Sequence, residues 1–296
     1  MTLHLRGIIP ALVTPYDAED RIDADVTRKV VEALVGQRIG GLYVGGTTGE
    51  GPMQTPSERT AFTALVAEQV AGRVPVVAHV GAADTATSLR LAADAARAGA
   101  DAVSAVAPFY YQHGREQVRR HFFDIAEAAP VPFLPYHLDS AVTSGAGDTV
   151  GMFAELAAHQ NVAGFKYTSR DVYELQQLVA VCGTDAVVYN GADEVCVHGL
   201  LAGAVGAIGS TYNVMAGLFV RLAEHVEQGD VAGAVRLQEQ ANEVIRAGAG
   251  YDNVAFARAV LRAQGFDVGQ ARRPLQQLGA DDLAAIARIV AATPFL

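Results

Sequence analysis

Of the 22 basic residues in the chain only Lys29 and Lys166 are lysines, and Lys166 closes the apolar run Val162-Ala163-Gly164-Phe165-Lys166. Everywhere else but Lys29 the chain uses arginine for positive charge. A lysine kept at the end of a buried-looking segment therefore points to chemistry that arginine cannot do. Arginine stays protonated, whereas a desolvated lysine can lose its proton, attack a carbonyl as a neutral amine and form a Schiff base. The alternative is an ion-paired or snorkelling lysine at a strand end, and residue 166 alone does not choose between them.

Other residues fit an imine site. Tyr136 ends the segment Leu134-Pro135-Tyr136 and carries a phenol able to move a proton. Gly45-Gly46-Thr47-Thr48-Gly49-Glu50-Gly51 combines glycines, which let backbone approach an anion, with hydroxyls that can donate to it. It lacks the GK[ST] ending of a nucleotide-binding loop, so the anion is a carboxylate or phosphate other than ATP, unless the loop is simply a capped turn. Tyr189-Asn190-Gly191-Ala192-Asp193-Glu194 and Ile208-Gly209-Ser210-Thr211-Tyr212-Asn213 bring two carboxylates and a serine, suited to a polyol or to the dipole of a helix start. Tyr110 and Tyr111 follow Pro108-Phe109 and read as rim aromatics. Cys182 and Cys196, fourteen apart, form neither a CxxC pair nor a zinc pattern, and the eight histidines include no HxH or HExxH, so no metal is expected.

The elements that must position these residues recur along the chain. Short β-rich segments are expected at 8–14, 41–45, 74–80, 102–107, 131–137, 162–167, 186–190 and 205–209, with helical stretches between them. Their continuous apolar character fits strands covered on both faces, and the intervening helices imply parallel connections. Eight such units predict an α/β fold, a (β/α)8 TIM barrel, in which chemistry sits at the C-terminal ends of the strands. Period-two alternation then puts Gly164 and Lys166 on one face and Phe165 on the other. Sequential strands lie roughly 4.8 Å apart, within reach of Tyr136 from Lys166. Thr55-Pro56-Ser57-Glu58 opens a helix to about Val70, and Gly99 ends another. From Leu218 onward the pattern is helical, broken near 228–230, 248–251 and 265–274. The expected organisation is a barrel with the catalytic site over 1–225 and a C-terminal helical extension over 226–296.

Composition bounds the partners. The chain has 296 residues, 51% hydrophobic and 18% charged, and no apolar run reaches the roughly 18 to 20 residues of a membrane helix. Its net charge of -10 argues against nucleic acid or an anionic membrane. The first seven residues show no secretory signal pattern, so a cytoplasmic location is expected.

Together these motifs resemble the pyruvate-dependent class I aldolase family that includes N-acetylneuraminate lyase and dihydrodipicolinate synthase. The likeness covers essentially the whole chain, through Gly46-Thr47-Thr48-Gly49-Glu50, Pro108-Phe109-Tyr110-Tyr111, Tyr136, Gly164-Phe165-Lys166 and Gly206-Ala207-Ile208-Gly209-Ser210. The resemblance implies that Lys166 forms an imine with pyruvate or another 2-oxo acid, needing no separate cofactor. It implies that Tyr136 moves the proton, that Thr47 and Thr48 bind the carboxylate, and that Tyr110 looks into a neighbouring subunit of a homotetramer. The second half looks most like the sialic acid lyases, which implies that Thr168, Gly191, Asp193, Glu194 and Ser210 contact the polyhydroxyl part of the substrate.

Some positions depart from the pattern. After Tyr136 the family usually has Asn and, three residues on, Pro, where this chain reads His137-Leu138-Asp139-Ser140-Ala141. The arginine of a dihydrodipicolinate synthase, five after the tyrosine, is replaced by Ala141. Thr47-Thr48 is closer to the synthase loop than to the lyases' serine-threonine pair. The expected activity is cleavage of a sugar-derived 2-oxo acid, foremost N-acetylneuraminate. Alternatives are an aldolase or dehydratase of a shorter 2-oxo-3-deoxy sugar acid, a dihydrodipicolinate synthase, or a barrel that binds an oxo acid as a sensor without turnover.

Overall fold

A computed structural model describes residues 4–139, 148–183 and 185–296. Among them eight parallel strands form one sheet: β1 (Gly7–Pro10), β2 (Leu42–Val44), β3 (Val76–His79), β4 (Ala102–Val106), β5 (Phe133–Leu138), β6 (Gly164–Thr168), β7 (Val187–Asn190) and β8 (Gly206–Gly209). Each pairs with its sequence neighbour, β8 returns to β1, and β1 meets β2 through the Ala11–Tyr43 bridge, so the sheet curls into the expected barrel. Helices α1 (Ala24–Val35), α2 (Pro56–Val70), α3 (Thr85–Arg97), α4 (Arg115–Ala128), α5 (Thr149–Ala157), α6 (Val172–Cys182), α7 (Cys196–Leu201) and α8 (Tyr212–Glu227) alternate with the strands.

Strand alternation divides the core. Inward residues including Ile9, Tyr43, Val77, Leu134, Tyr189 and Ile208 plug the barrel, while outward ones such as Phe165 pack under the helices. Phe165 stacks on Phe153 of α5 at 4.6 Å, an anchor that fixes which way Lys166 points, since a one-residue slip would reverse every side chain of β6. The α2 start is a capping box: the Glu58 N–H donates to Thr55 Oγ1 and the Thr55 N–H to Glu58 Oε2. Gly99, at φ +95°, follows the end of α3 in the left-handed conformation its position requires.

Tyr136 and Lys166 do not end their strands: the ladder continues through His137–Tyr167, the last positions of the expected segments, and one rung further through Leu138–Thr168. His137 and Tyr167 point outward and stack at 4.9 Å, which supports that extra rung. Beyond the barrel come α9 (Val231–Ala247), α10 (Asn253–Ala263) and α11 (Ala280–Ala292). Gln238 of α9, buried, accepts from the Val197 N–H and donates to the Asp193 carbonyl, tying this helix to the turn after β7. Among the described residues no helix is long and apolar enough to cross a membrane. Met1–Leu3, on which part of the N-terminal reading rests, and Ser140 and Ala141, with which the departure after Tyr136 ends, lie outside the described residues.

Candidate active site at the C-terminal mouth of the barrel

Lys166 is buried inside the barrel, with Nζ 4.1 Å from the ring centre of Tyr136 and 4.5 Å from that of Tyr43. Among the described residues no carboxylate forms an ion pair with it. Tyr136 is its register partner on β5, so both project from one level of adjacent strands. The two tyrosine rings meet edge to face at 6.3 Å.

Tyr43 and His79 were not singled out from the sequence. The Tyr43 phenol donates to Ser104 Oγ at 3.0 Å, and burial pushes it well above its ordinary range. His79 sits 6.3 Å from the Tyr136 ring, and burial, with the charges of Arg59 and Lys166, holds its imidazole well below its usual value. It is therefore neutral. Its Nε2 lies 3.2 Å from the Val106 N–H, and its Nδ1 3.3 Å from Arg59 Nη2. The available signal was position: both are polar aromatics within strands, pointing where apolar filler would otherwise stand.

The hydroxyl loop leaves β2 and turns back over the mouth. Thr48 is buried with its Oγ1 2.7 Å from Ser210 Oγ, while Thr47 is exposed beside it. Gly51 has no substitute, because a Cβ there would stand 1.7 Å from the Gly45 carbonyl. These residues share a cavity of about 900 Å3 with Tyr136, Lys166, Thr168, Gly191, Asp193 and Glu194. Nine of the ten residues singled out from the sequence are thus brought together. Tyr110 is not: it is 88% exposed, with φ +83° and its ring edge to face with Tyr111. The cavity also has a wall the sequence did not indicate, made by Ile245, Gly248, Phe256 and Ala257 on and between α9 and α10. Of the unusual segment after Tyr136, Leu138 and Asp139 line the cavity, whereas His137 lies outside the barrel and bonds Asp139 Oδ1 through Nε2 at 2.9 Å.

The far side of the cavity is polar and partly unpartnered. Asp193 Oδ2 accepts from the Thr211 N–H and hydroxyl at 2.8 Å each, but among the described residues its buried Oδ1 has no partner; nor does Thr168 Oγ1. Glu194 is occupied differently, by Arg170 Nε at 2.6 Å. Burial pushes the Asp193 carboxyl from 3.8 up to about 6.

That displacement has a testable consequence. Because the folded protein holds the proton more tightly than the unfolded chain, Asp193 contributes stability below about pH 4 that is lost as pH rises through about 6, a difference of roughly 3 kcal/mol. Asp193→Asn is expected to melt roughly 5 °C above the parent at pH 8 and to show no gain at pH 4. Calorimetry at both pH values checks this; an equal gain at each would show that ionisation is not the source.

The sequence pattern of the dihydrodipicolinate synthetase family matches residues 4–293. The chain is 37% identical over 289 residues to the N-acetylneuraminate lyase of Rhizobium meliloti strain 1021, covering 98% of this chain and 95% of that one. Its fold matches the dihydrodipicolinate synthase of Bacillus anthracis with a TM-score of 0.94, at 28% identity over 99% of this chain and 100% of the other. It matches a catalytic lysine mutant of the Ruminococcus gnavus sialic acid aldolase with a TM-score of 0.93, at 28% identity and 100% coverage of both chains.

Proposed function

The chain belongs to the dihydrodipicolinate synthetase family, as a carbon–carbon lyase of the class I aldolase kind, and we propose that it cleaves N-acetylneuraminate to pyruvate and N-acetylmannosamine. The observation that carries this reading is the Lys166 amine held over the Tyr136 ring in a cavity that also contains two threonine hydroxyls at one side and orphaned acceptors at the other.

Chemistry follows from that placement. The Lys166 amine adds to the 2-oxo carbon and water leaves, giving a protonated imine. Tyr136 accepts the proton of the hydroxyl on the carbon two along from the imine carbon, as the bond from that hydroxyl-bearing carbon to the carbon beside the imine breaks. Its electron pair moves into the imine, leaving an enamine rather than a bare carbanion, and the aldehyde departs. Protonation of the enamine and hydrolysis return pyruvate and the free amine. Thr47 and Thr48 orient the carboxylate for the first attack. Thr168, Gly191, Asp193, Glu194 and Ser210 meet the hydroxylated tail. The exposed Tyr110 and Tyr111 suit contact with another subunit of a homotetramer, Tyr110 reaching its neighbour's site.

Asp139, an acidic residue that lines the cavity in the altered segment after Tyr136, supports a second reading, in which a shorter 2-oxo-3-deoxy sugar acid is preferred. The test is aldehyde and pyruvate release by the purified protein across a panel of 2-oxo sugar acids. N-acetylneuraminate is expected to have the highest kcat/KM; a tenfold preference for a shorter acid would replace the substrate and keep the mechanism.

A further inference from the structure

Glu50 follows the threonines in the hydroxyl loop, takes no part in the chemistry above, and is held by bonds to residues more than 200 positions away. Its backbone is left-handed at φ +57°, a conformation that costs a non-glycine residue and persists only where the surroundings enforce it. The enforcement is visible. Its Oε1 accepts from Arg258 Nε at 3.1 Å and from Arg258 Nη2, and its Oε2 accepts from the Arg272 N–H at 2.6 Å. Both side chains of the ion pair are buried.

Arg258 belongs to α10, outside the eight β/α units, and it also donates to the carbonyls of Thr14 and Val268 at 2.5 Å each. One guanidinium therefore joins the loops after β1 and β2 to the chain beyond α10. From Glu50 the order passes directly to the threonines. The Glu50 N–H donates to the Thr47 carbonyl at 3.1 Å, closing the turn that contains Thr47 and Thr48, and Thr14 Oγ1 and Gln54 Nε2 both donate to the Gly49 carbonyl.

We propose that Glu50 and Arg258 form a positioning pair for the 2-oxo acid, setting the turn from which Thr47 and Thr48 meet its carboxylate; this rests on the imine-enzyme reading given above. The pairing has two parts. Glu50 receives three N–H donors with two oxygens, a match only an ionised carboxylate makes. Arg258 in turn neutralises an anion that would otherwise stand behind a site meant for another anion.

The experiment is borohydride trapping of pyruvate on the intact protein, read by mass across a range of pyruvate concentrations, using the folded fraction isolated by gel filtration. In Glu50→Gln the amide NH2 must face one of the three donors, so the turn shifts. Since an ångström of misplacement can cost on the order of 100-fold, half-saturating pyruvate is expected to rise at least about tenfold while trapping still reaches completion at saturation. Arg258→Lys keeps the charge but cannot join the same three oxygens, and is expected to raise it by roughly fivefold. It decides the matter if Glu50→Gln does not fold. A lower melting temperature with unchanged half-saturation in either variant would overturn the proposal, reducing the pair to a purely structural role. Absence of an adduct in the parent protein would instead overturn the imine reading itself.

Discussion

Lys166→Arg is expected to lower turnover by at least about ten-thousand-fold and to abolish the pyruvate adduct seen by mass after borohydride reduction. The reason is electronic before it is steric. A guanidinium has no available lone pair at neutral pH, so it cannot add to the 2-oxo carbon, whatever its position. Arginine is also longer, and Nζ already sits within 4.5 Å of two aromatic ring centres, so the substitution overfills the site. Lys166→Met separates the two effects by keeping the volume and losing the amine. Both variants should be inactive, with circular dichroism matching the parent. More than roughly 1% residual turnover in Lys166→Met would contradict a covalent role.

Tyr136→Phe is expected to lower kcat by roughly 100- to 10,000-fold while leaving imine trapping with pyruvate intact. The ring, which packs against Tyr43 and His79 and lies beneath Nζ, is retained, so only the proton carrier is lost. Tyr43→Phe supplies the contrast. Its hydroxyl is committed to Ser104, and its removal should cost turnover less than about tenfold. If the two variants were equally impaired, the division of labour between the phenols would be wrong. If Tyr136→Phe also failed to trap pyruvate, its role would lie in building the imine rather than in breaking the carbon–carbon bond.

Legibility followed the range of the interactions. Strand positions could be read because buried parallel strands are continuous apolar runs, and capping boxes because their partners stand three residues apart. The joint placement of Lys166 and Tyr136 followed from period-two alternation and neighbouring strands, both local rules. Tyr43 and His79 could not be read that way, since their roles come from what faces them across the barrel. Nor could the extra rung Leu138–Thr168, which is supported by His137 stacking against a residue thirty positions away.

The sequence by itself determined the architecture and the residue types of the site: a single non-arginine cation in a strand, a tyrosine one strand over, a hydroxyl loop, and polar strand ends. These are consequences of periodicity and side-chain chemistry, which are carried by neighbouring letters. Only the tertiary structure decided how those residues are held and enclosed. It showed that Asp193 has a buried oxygen without a partner among the described residues, that Glu194 is engaged by Arg170, that α9 and α10 wall the cavity, and that Arg258 reaches 208 positions back to grip Glu50. Burial and long-range pairing depend on how the whole chain closes on itself, and no local pattern records that closure.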